Sequence, residues 1–291
     1  STQSRSSAAS DVYKRQGGLF FRKSLSPLMK INRIYAIVLR FLYLFRHNID
    51  RWSDTFYWPV IDLLLWGLTG LYLKNSGSQN QLDVVAMILS GILLWLIVWR
   101  GQHEIAVNLL EDLWNKNLIN IFASPLTFNE WICAFLLISF IKSLISLVFA
   151  SGVAFLLYHF NLLSFGIYLL PFYLILIMFG WAVGFFVSGV ILRYGTKIQA
   201  LAWTAIMVLS PFSAIYYPLS ILPSWAQKIA LFVPTSYVFE GGRRLIAGQQ
   251  ISVIYFFWPL MLNIVYFLMA FLWIRRSFKI ILNQKGLVKI F

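Results

Sequence analysis

The chain has 291 residues, of which 60% are hydrophobic, 18% aromatic and only 12% charged. Soluble domains are about half apolar and a quarter charged, so this composition excludes an ordinary soluble protein and indicates a polytopic membrane protein. Basic residues beside membrane helices explain the net charge of +14 better than nucleic-acid binding does. The single cysteine, Cys133, excludes an internal disulfide and a CxxC metal site.

Residues 1–28 are predicted to form a disordered leader. The first part of it, 1–16, reads STQSRSSAASDVYKRQ, which is polar and lacks the apolar core of a signal peptide. This stretch resembles a translated sequencing adapter, a non-native scar, and carries no functional inference. The remainder, 29–291, is predicted to form a single transmembrane domain, because neither a repeat nor a separate soluble domain is visible.

An amphipathic helix is predicted over residues 29–52. Apolar residues recur there at spacings of three and four, and basic residues are interspersed among them. The apolar positions are Ile31, Ile34, Tyr35, Val38, Leu42 and Phe45, and the basic positions are Lys30, Arg33, Arg40, Arg46 and Arg51. A basic face suits anionic headgroups, so we expect this helix to lie along the membrane interface.

Six segments are predicted to span the membrane, since about 20 apolar residues cross a core of about 30 Å. They are 56–73, 84–99, 131–158, 165–192, 201–217 and 254–274. Most of the lysines and arginines near their ends fall on the side that also holds both termini. The positive-inside rule therefore predicts that both termini are cytoplasmic.

The longest cytoplasmic loop, 100–130, is the candidate contact for a partner protein. Glu104 is predicted to begin a helix in this loop, and Pro125 is predicted to stop a second, short amphipathic helix. An ordinary loop helix without a partner is the alternative interpretation. The candidate residues for this contact are Glu111, Asp112, Leu118, Ile121, Phe122, Ser124 and Pro125.

Two charged residues fall inside the predicted spanning segments, Asp62 in the first and Lys142 in the third. Ionisable groups in hydrocarbon are costly and usually face the bundle or a wet cavity. A direct pair between them and two independent sites are the alternatives, and a structural role is favoured. The histidines, His47, His103 and His159, are scattered over different loops, which predicts no metal site.

Residues 209–248 cannot form one continuous membrane helix, because repeated prolines remove backbone donors. Two short apolar pieces, 216–222 and 225–233, are each too short to span. We therefore predict a re-entrant helical hairpin between the fifth and sixth spanning helices, followed by a polar exit. This hairpin is the candidate for an outer gate. Its candidate residues are Pro211, Tyr217, Pro218, Pro223, Trp225, Pro234, Glu240 and Arg243.

The same stretch resembles the signature of type-2 ABC exporter permeases. The residues that carry the resemblance are Ser210-Pro211, Tyr217-Pro218, Leu222-Pro223 with Trp225, Pro234-Thr235 with Tyr237, and Glu240 with Arg243. Val233 stands where the family usually has asparagine. The run KNLINIFASPLTFNE, residues 116–130, is similar to the family's cytoplasmic coupling segment. It departs from the family's usual pattern where Lys116 replaces glycine, Asn117 replaces threonine and Ile119 replaces glutamate.

The resemblance implies an all-α membrane fold with an interfacial helix, six spanning helices and the re-entrant hairpin. It implies the permease subunit of an ATP-driven exporter for an amphipathic, lipid-linked, polysaccharide or drug-like cargo. A second permease copy, identical or paralogous, would pair with it in the bilayer. Separate ATPase subunits would bind ATP and Mg. The expected location is the plasma (inner) membrane of a bacterium or archaeon.

The chain carries no G-x-x-x-x-G-K-[ST] run, so we expect no bound cofactor and no ATP hydrolysis by this subunit. A polytopic membrane enzyme or scaffold without a transport cycle is the alternative class, although no nucleophile paired with a base stands out. An ion-driven secondary transporter would contain several intramembrane carboxylates, and only Asp62 qualifies.

Overall fold

The computed structural model describes residues 29–75 and 84–284, and the regular structure in these ranges is helical throughout. The predicted leader, 1–28, lies outside the described residues. The α-helices in chain order are α1 (Ile31–His47), α2 (Ile49–Trp52), α3 (Trp58–Asn75), α4 (Val84–Trp114), α5 (Leu118–Ala123), α6 (Phe128–Tyr158), α7 (Leu169–Tyr194), α8 (Leu201–Leu209), α9 (Ser224–Ala230), α10 (Pro234–Ile246) and α11 (Ile254–Gln284). The prediction of an all-α fold is confirmed for the described part of the chain.

Five helical stretches in the described ranges are long and apolar enough to cross a membrane. They are Ile49–Asn75, Val84–Trp114, Phe128–Tyr158, Leu162–Ile198 and Ile254–Ile281. The fifth predicted segment, 201–217, contains a shorter apolar helix, Leu201–Phe212. This helix ends before residue 217 because the α-helical part, α8, is followed by a 3-10 turn, Ser210–Phe212, that contains Pro211.

The predicted N-terminal helix divides at Asn48. α1 ends there in extended backbone, and the Asn48 side chain then accepts a hydrogen bond from the Asp50 amide to cap α2. A π-helical turn, Ser53–Tyr57, joins α2 to α3, so the first spanning stretch begins before residue 56. α1 packs on α6 through Phe41, which is fully buried and lies edge-on to Phe135 at 5.4 Å.

α4 corrects the prediction of a spanning helix that ends at residue 99 and a separate loop helix from Glu104. It is one uninterrupted helix of 31 residues, Val84–Trp114. Arg100 and Glu104 suggested a membrane boundary, but both are buried in the bundle. A pair of opposite charges three to four residues apart is compatible with a helix interior, so the helix has no reason to stop.

The helices alternate in direction, as consecutive spanning segments must. Gly101 and Ile105 of α4 contact Gly180 and Gly184 of α7 in the same order, so these two helices run parallel. Asn263 and Trp273 of α11 likewise contact Ile175 and Phe186 of α7, so α11 runs parallel to both. Tyr158, the last residue of α6, donates a hydrogen bond to the Leu63 carbonyl of α3. The C-terminal ends of α4, α7 and α11 therefore lie at the same end of the bundle, where Arg40 of α1 pairs with Asp112 of α4. We call this end the α1 end.

α7 lies at the centre of the bundle, with α4 on one side and α11 on the other. A Cβ at Gly180 would lie 2.6 Å from the Val98 carbonyl oxygen, so only glycine allows α7 and α4 to approach this closely. Gly184 faces Ile105 one turn further on. The G-x-x-x-G pair thus serves packing within this chain.

The chain between α8 and α10 is broken, as the prolines predicted. Pro218 precedes a 3-10 turn, Leu219–Ile221, and Pro223 precedes α9. Pro234 is the first residue of α10, where its missing N–H costs nothing. We call residues 210–234 the proline-rich connection.

Candidate functional site

Ionised side chains are concentrated between α1, the first spanning stretch, α4 and α6. Four are basic and four acidic, so their charges balance when all are ionised. We call them the charged network: Arg40, Arg51, Arg100 and Lys142, with Asp54, Glu104, Glu111 and Asp112. Buried charges persist only when they are paired, and each member has a partner of opposite sign.

Glu104 lies at the centre of the charged network. Its Oε1 is 2.5 Å from the Nζ of Lys142 on α6 and 3.5 Å from Nη1 of Arg100 on α4. The same Nη1 lies 2.5 Å from Oδ2 of Asp54, and the guanidinium also donates to the Asp54 backbone carbonyl. Two carboxylates and two cations thereby join three spanning stretches, and of these four side chains only Asp54 is partly exposed, at 26%.

The rest of the charged network ties α1 and α2 to the end of α4. Arg40 pairs with Asp112, and Arg51 pairs with Glu111. The guanidinium of Arg51 also donates to the Asn108 side chain at 2.9 Å. Charge-assisted bonds of this kind are stronger than neutral ones, so α1 is held firmly against the spanning bundle.

Hydrogen bonds also attach α1 to the chain between α4 and α6. Arg33 donates to the Pro125 carbonyl at 2.5 Å and lies 3.6 Å from the Glu130 carboxylate. The Lys30 amide donates to Glu130 at 2.8 Å. Glu130 completes a capping box with Thr127 at the start of α6, so one carboxylate orders both helix ends.

The region 118–125 was predicted to present an apolar face to a partner. Leu118 and Ile121 are instead buried within this chain, with 0% and 6% of their surface exposed. For these two residues the expected outward face is corrected, because both pack in an apolar cluster of this chain that includes Leu109 and Trp131. Ser124 and Pro125 remain exposed at its end. The Phe122 side chain lies outside what the structure describes.

Lys142 pairs with Glu104, which answers the question whether it pairs with Asp62. Asp62 lies on α3 with an exposed side chain, and no cation of the described residues lies within 4.0 Å of it. The sequence missed Glu104 as a partner because that residue was placed in a loop. Charges that recur four residues apart, as Arg100 and Glu104 do, were the available signal for a helix that continues.

His103 lies in α4, buried, rather than in a loop. Its ring stacks on Trp99, and Nδ1 is 3.5 Å from Oδ2 of Asp54. Ligand atoms of Asp54, His103 and Glu104 lie within 4.8 Å of one another, a separation that suits a metal ion. Arg100 and Lys142 contact the same carboxylate oxygens, however, so side-chain cations already supply the compensating charge there.

Glu240 and Arg243 on α10 hold the proline-rich connection in place. They form an ion pair at 3.4 Å, as the three-residue spacing predicted. Glu240 also accepts a hydrogen bond from the Leu219 amide, and Arg243 donates to the Ala214 carbonyl, both at 2.7 Å. Burial lowers the pKa of Arg243, and the Glu240 charge opposes that shift. The pair is thus partly buried and organises the turn, rather than resting on an exposed helix face.

The proline-rich connection also contacts the first two spanning helices. Tyr216 stacks on Trp66 of α3 with a centroid distance of 4.5 Å. Gly91 of α4 approaches the Ile215 backbone so closely that a Cβ would lie 2.6 Å from its carbonyl oxygen. Tyr217 donates to the Pro211 carbonyl at 2.8 Å, and Trp225 is exposed. The connection that carries most of the predicted gate residues thus contacts α3 through Tyr216 and α4 through Ile215.

These features together define a multi-pass helical membrane protein with a charged network at the α1 end and a proline-rich connection near the other. The family model described as ABC-2 family transporter protein matches residues 67–274, which is most of the chain. The chain therefore belongs to the ABC-2 family of transporter proteins, and it is a transmembrane permease of an ABC transporter. The comparison with curated proteins finds no match. α1 and Asp54 precede the matched residues.

Proposed function

We propose that this permease is the membrane subunit of an ATP-driven exporter. Its cargo is an amphipathic, lipid-linked, polysaccharide or drug-like molecule that leaves the cytoplasm. A separate ATPase subunit binds ATP and Mg, and a second permease copy, identical or paralogous, completes the pathway. Membership of the ABC-2 family supports the transport role, and the geometry of α4 supports the coupling described below.

The observation that carries the mechanism is the continuity of α4. At its last turns it holds Glu111 and Asp112 of the charged network, and at its first turns Gly91 touches the proline-rich connection. A helix of 31 residues is about 46 Å long at ~1.5 Å per residue. One rigid element therefore joins the proposed coupling end to the proposed gate.

The ATPase is proposed to dock at the α1 end, against the exposed Ser124 and Pro125 and the neighbouring surface of α1. Because Arg33 bonds to the Pro125 carbonyl, displacement of the 118–125 region also displaces α1. Arg40 and Arg51 then transmit the movement to α4, and Lys142 transmits it to α6. Closure of the ATPases would thus tilt several spanning helices together.

The proline-rich connection is proposed to be a re-entrant outer gate. Leu201–Phe212 would then serve as a sixth spanning element, completed by the chain that follows it, with both termini cytoplasmic. Non-helical backbone at membrane depth needs internal partners, and Glu240 and Arg243 provide them. The proposed location is the plasma membrane of a bacterium or archaeon.

The direct test combines extraction and transport. The permease is extracted from its native membrane in mild detergent, and the co-purifying ATPase is reconstituted with it in proteoliposomes. We expect candidate cargo to stimulate ATP hydrolysis and to move in the export direction only with ATP. A permease that purifies in folded form without any ATPase, and transports nothing, would instead support a membrane enzyme or scaffold.

A further inference from the structure

An apolar groove opens on the side of the bundle between α8 and α11, with α7 as its floor. Its volume is about 470 Å³, within the range of sites that bind small molecules. Phe179 and Phe186 line the floor, Ala205 lines the α8 wall, and Tyr266 and Trp273 line the α11 wall. Phe186 is 54% exposed, so the groove faces the surroundings of the bundle rather than its interior.

A cation lies at the α1 end of the groove. Arg193 follows Phe186 by two helical turns on α7, so both lie on the same face. Its guanidinium carbon is 3.9 Å from the centroid of the Trp273 ring, and Nε donates to Ser277 at 2.8 Å. Within the described ranges, no carboxylate lies within 4.0 Å of Arg193.

The sequence around the groove supplies no acidic residue that could neutralise Arg193. From residue 131 to the end of the chain, Glu240 is the only aspartate or glutamate, and it pairs with Arg243. Arg275 and Arg276 on α11, and Lys197 after α7, add positive charge near the same end. The ligand that complements this surface must therefore carry negative charge next to an apolar body.

We propose that the groove binds an anionic glycerophospholipid, with an acyl chain along α7 and the phosphate at Arg193. Arginine recognises phosphate oxygens through paired N–H donors, and its stacking on Trp273 presents the guanidinium in a defined orientation. Basic pockets between spanning helices are suited to lipid head groups, and tryptophan is enriched at that depth. This site belongs to the permease alone, so it does not depend on the proposed export cycle.

The test is native mass spectrometry of the purified full-length permease, with phosphatidylglycerol and phosphatidylcholine of identical acyl chains added in separate samples. We expect phosphatidylglycerol to be retained and phosphatidylcholine to be lost. Arg193→Gln should lower retention of phosphatidylglycerol by about tenfold, because a charge-assisted bond is lost. Ala205→Phe should lower retention too, because the new ring fills the groove, and Arg193→Lys should restore part of the selectivity.

Two matched variants control for surface charge and for bulk. Arg46→Gln removes an exposed arginine from α1, away from the groove. Val208→Phe adds a ring on the face of α8 where the Val208 side chain is 67% exposed. Both should retain phosphatidylglycerol as the unaltered protein does. Equal retention of the two lipids by the unaltered permease would overturn the proposal without any variant. A change in oligomeric state on Ala205→Phe would also overturn it, and would assign the groove to a second protein chain.

Discussion

Glu104 receives two cations from two different helices in a site that is almost fully buried. Lys142 is its closer partner, at 2.5 Å, and both side chains are 2% exposed. Charges in such a place are stable only together, because desolvation of either alone is not compensated. The role of the pair is therefore to hold α4 against α6. Its loss should lower the stability of the folded permease more than it lowers transport by the molecules that remain folded.

A double-mutant cycle measures this pair. Lys142→Met and Glu104→Gln should each destabilise the permease by about 3–5 kcal/mol, and the double variant should lose less than the sum. Thermal unfolding in detergent reports the loss. Asp62→Asn, which alters an exposed side chain without an ion pair among the described residues, should change stability by at most about 0.5 kcal/mol. Strictly additive losses would mean that the two charges are independent.

Glycines at close helix contacts allow a second test at this scale. Gly180→Ala places a Cβ 2.6 Å from the Val98 carbonyl and should cost about 1–3 kcal/mol through overpacking. Gly152→Ala on α6 meets no atom within 4 Å and should leave stability unchanged or slightly raised. Thermal unfolding of the two variants side by side separates packing from helix propensity. Equal effects would contradict the close approach of α4 and α7.

At the scale of elements, α1 is bound to the bundle by ion pairs as well as by apolar contact. Arg40 reaches Asp112, whereas Arg46 in the last turn of α1 is exposed. If α1 transmits movement of the ATPase, these two arginines differ in function although both lie on one basic helix. If α1 only bound lipid head groups, loss of Arg40 and loss of Arg46 would have similar effects.

Arg40→Gln should therefore uncouple ATP hydrolysis from transport. We expect transport per ATP to fall by roughly tenfold if the full charge-assisted bond is lost, while membrane insertion is retained. Arg46→Gln is the control and should retain coupling. Proteoliposome transport and ATPase rates measured on the same preparations give the ratio. Similar behaviour of the two variants would place α1 outside the coupling path.

The contact between Trp66 and Tyr216 allows the gate to be tested. In a Cys133→Ala background, Trp66→Cys and Tyr216→Cys joined by a short bifunctional thiol reagent should stop transport, because the proline-rich connection can no longer leave α3. Each single-cysteine variant treated with the same reagent should remain active. Transport that continues in the cross-linked protein would show that the connection is a static plug.

At the scale of the whole molecule, the helix directions place all features of the charged network at one end and the loop after α10 at the other. Asn115 follows α4 at the α1 end, and Gln249 follows α10 at the opposite end; both are exposed. The positive-inside rule predicts that the α1 end is cytoplasmic. The two positions therefore report orientation independently.

Cysteine labelling in intact cells tests that orientation. In the Cys133→Ala background, Gln249→Cys should react with an impermeant thiol reagent from outside, and Asn115→Cys should react only after the membrane is permeabilised. Each variant is the control for the other, since both thiols lie in exposed turns. Labelling of Asn115→Cys from outside would reverse the topology and place the ATPase contacts elsewhere.

The sequence alone was sufficient for the class of protein, because apolar length and the proline-containing motifs are local properties. All five long apolar stretches were predicted, although the second ends at residue 114 rather than 99, and the prolines predicted the breaks after α8. The spacing of Glu240 and Arg243 was enough to predict their pair. Each of these features depends on residues that are neighbours in the chain.

The tertiary structure decided what depended on distant residues. Arg100 and Glu104 led to the prediction that a membrane segment ends there. In the structure Asp54 and Lys142, from other spanning stretches, supply the opposite charges that allow both to be buried. Leu118 and Ile121 were predicted to form a contact surface, but the fold buries both side chains. The same charged side chain can be buried or exposed in a folded protein. Its burial is stable only where the fold brings a partner of opposite charge next to it.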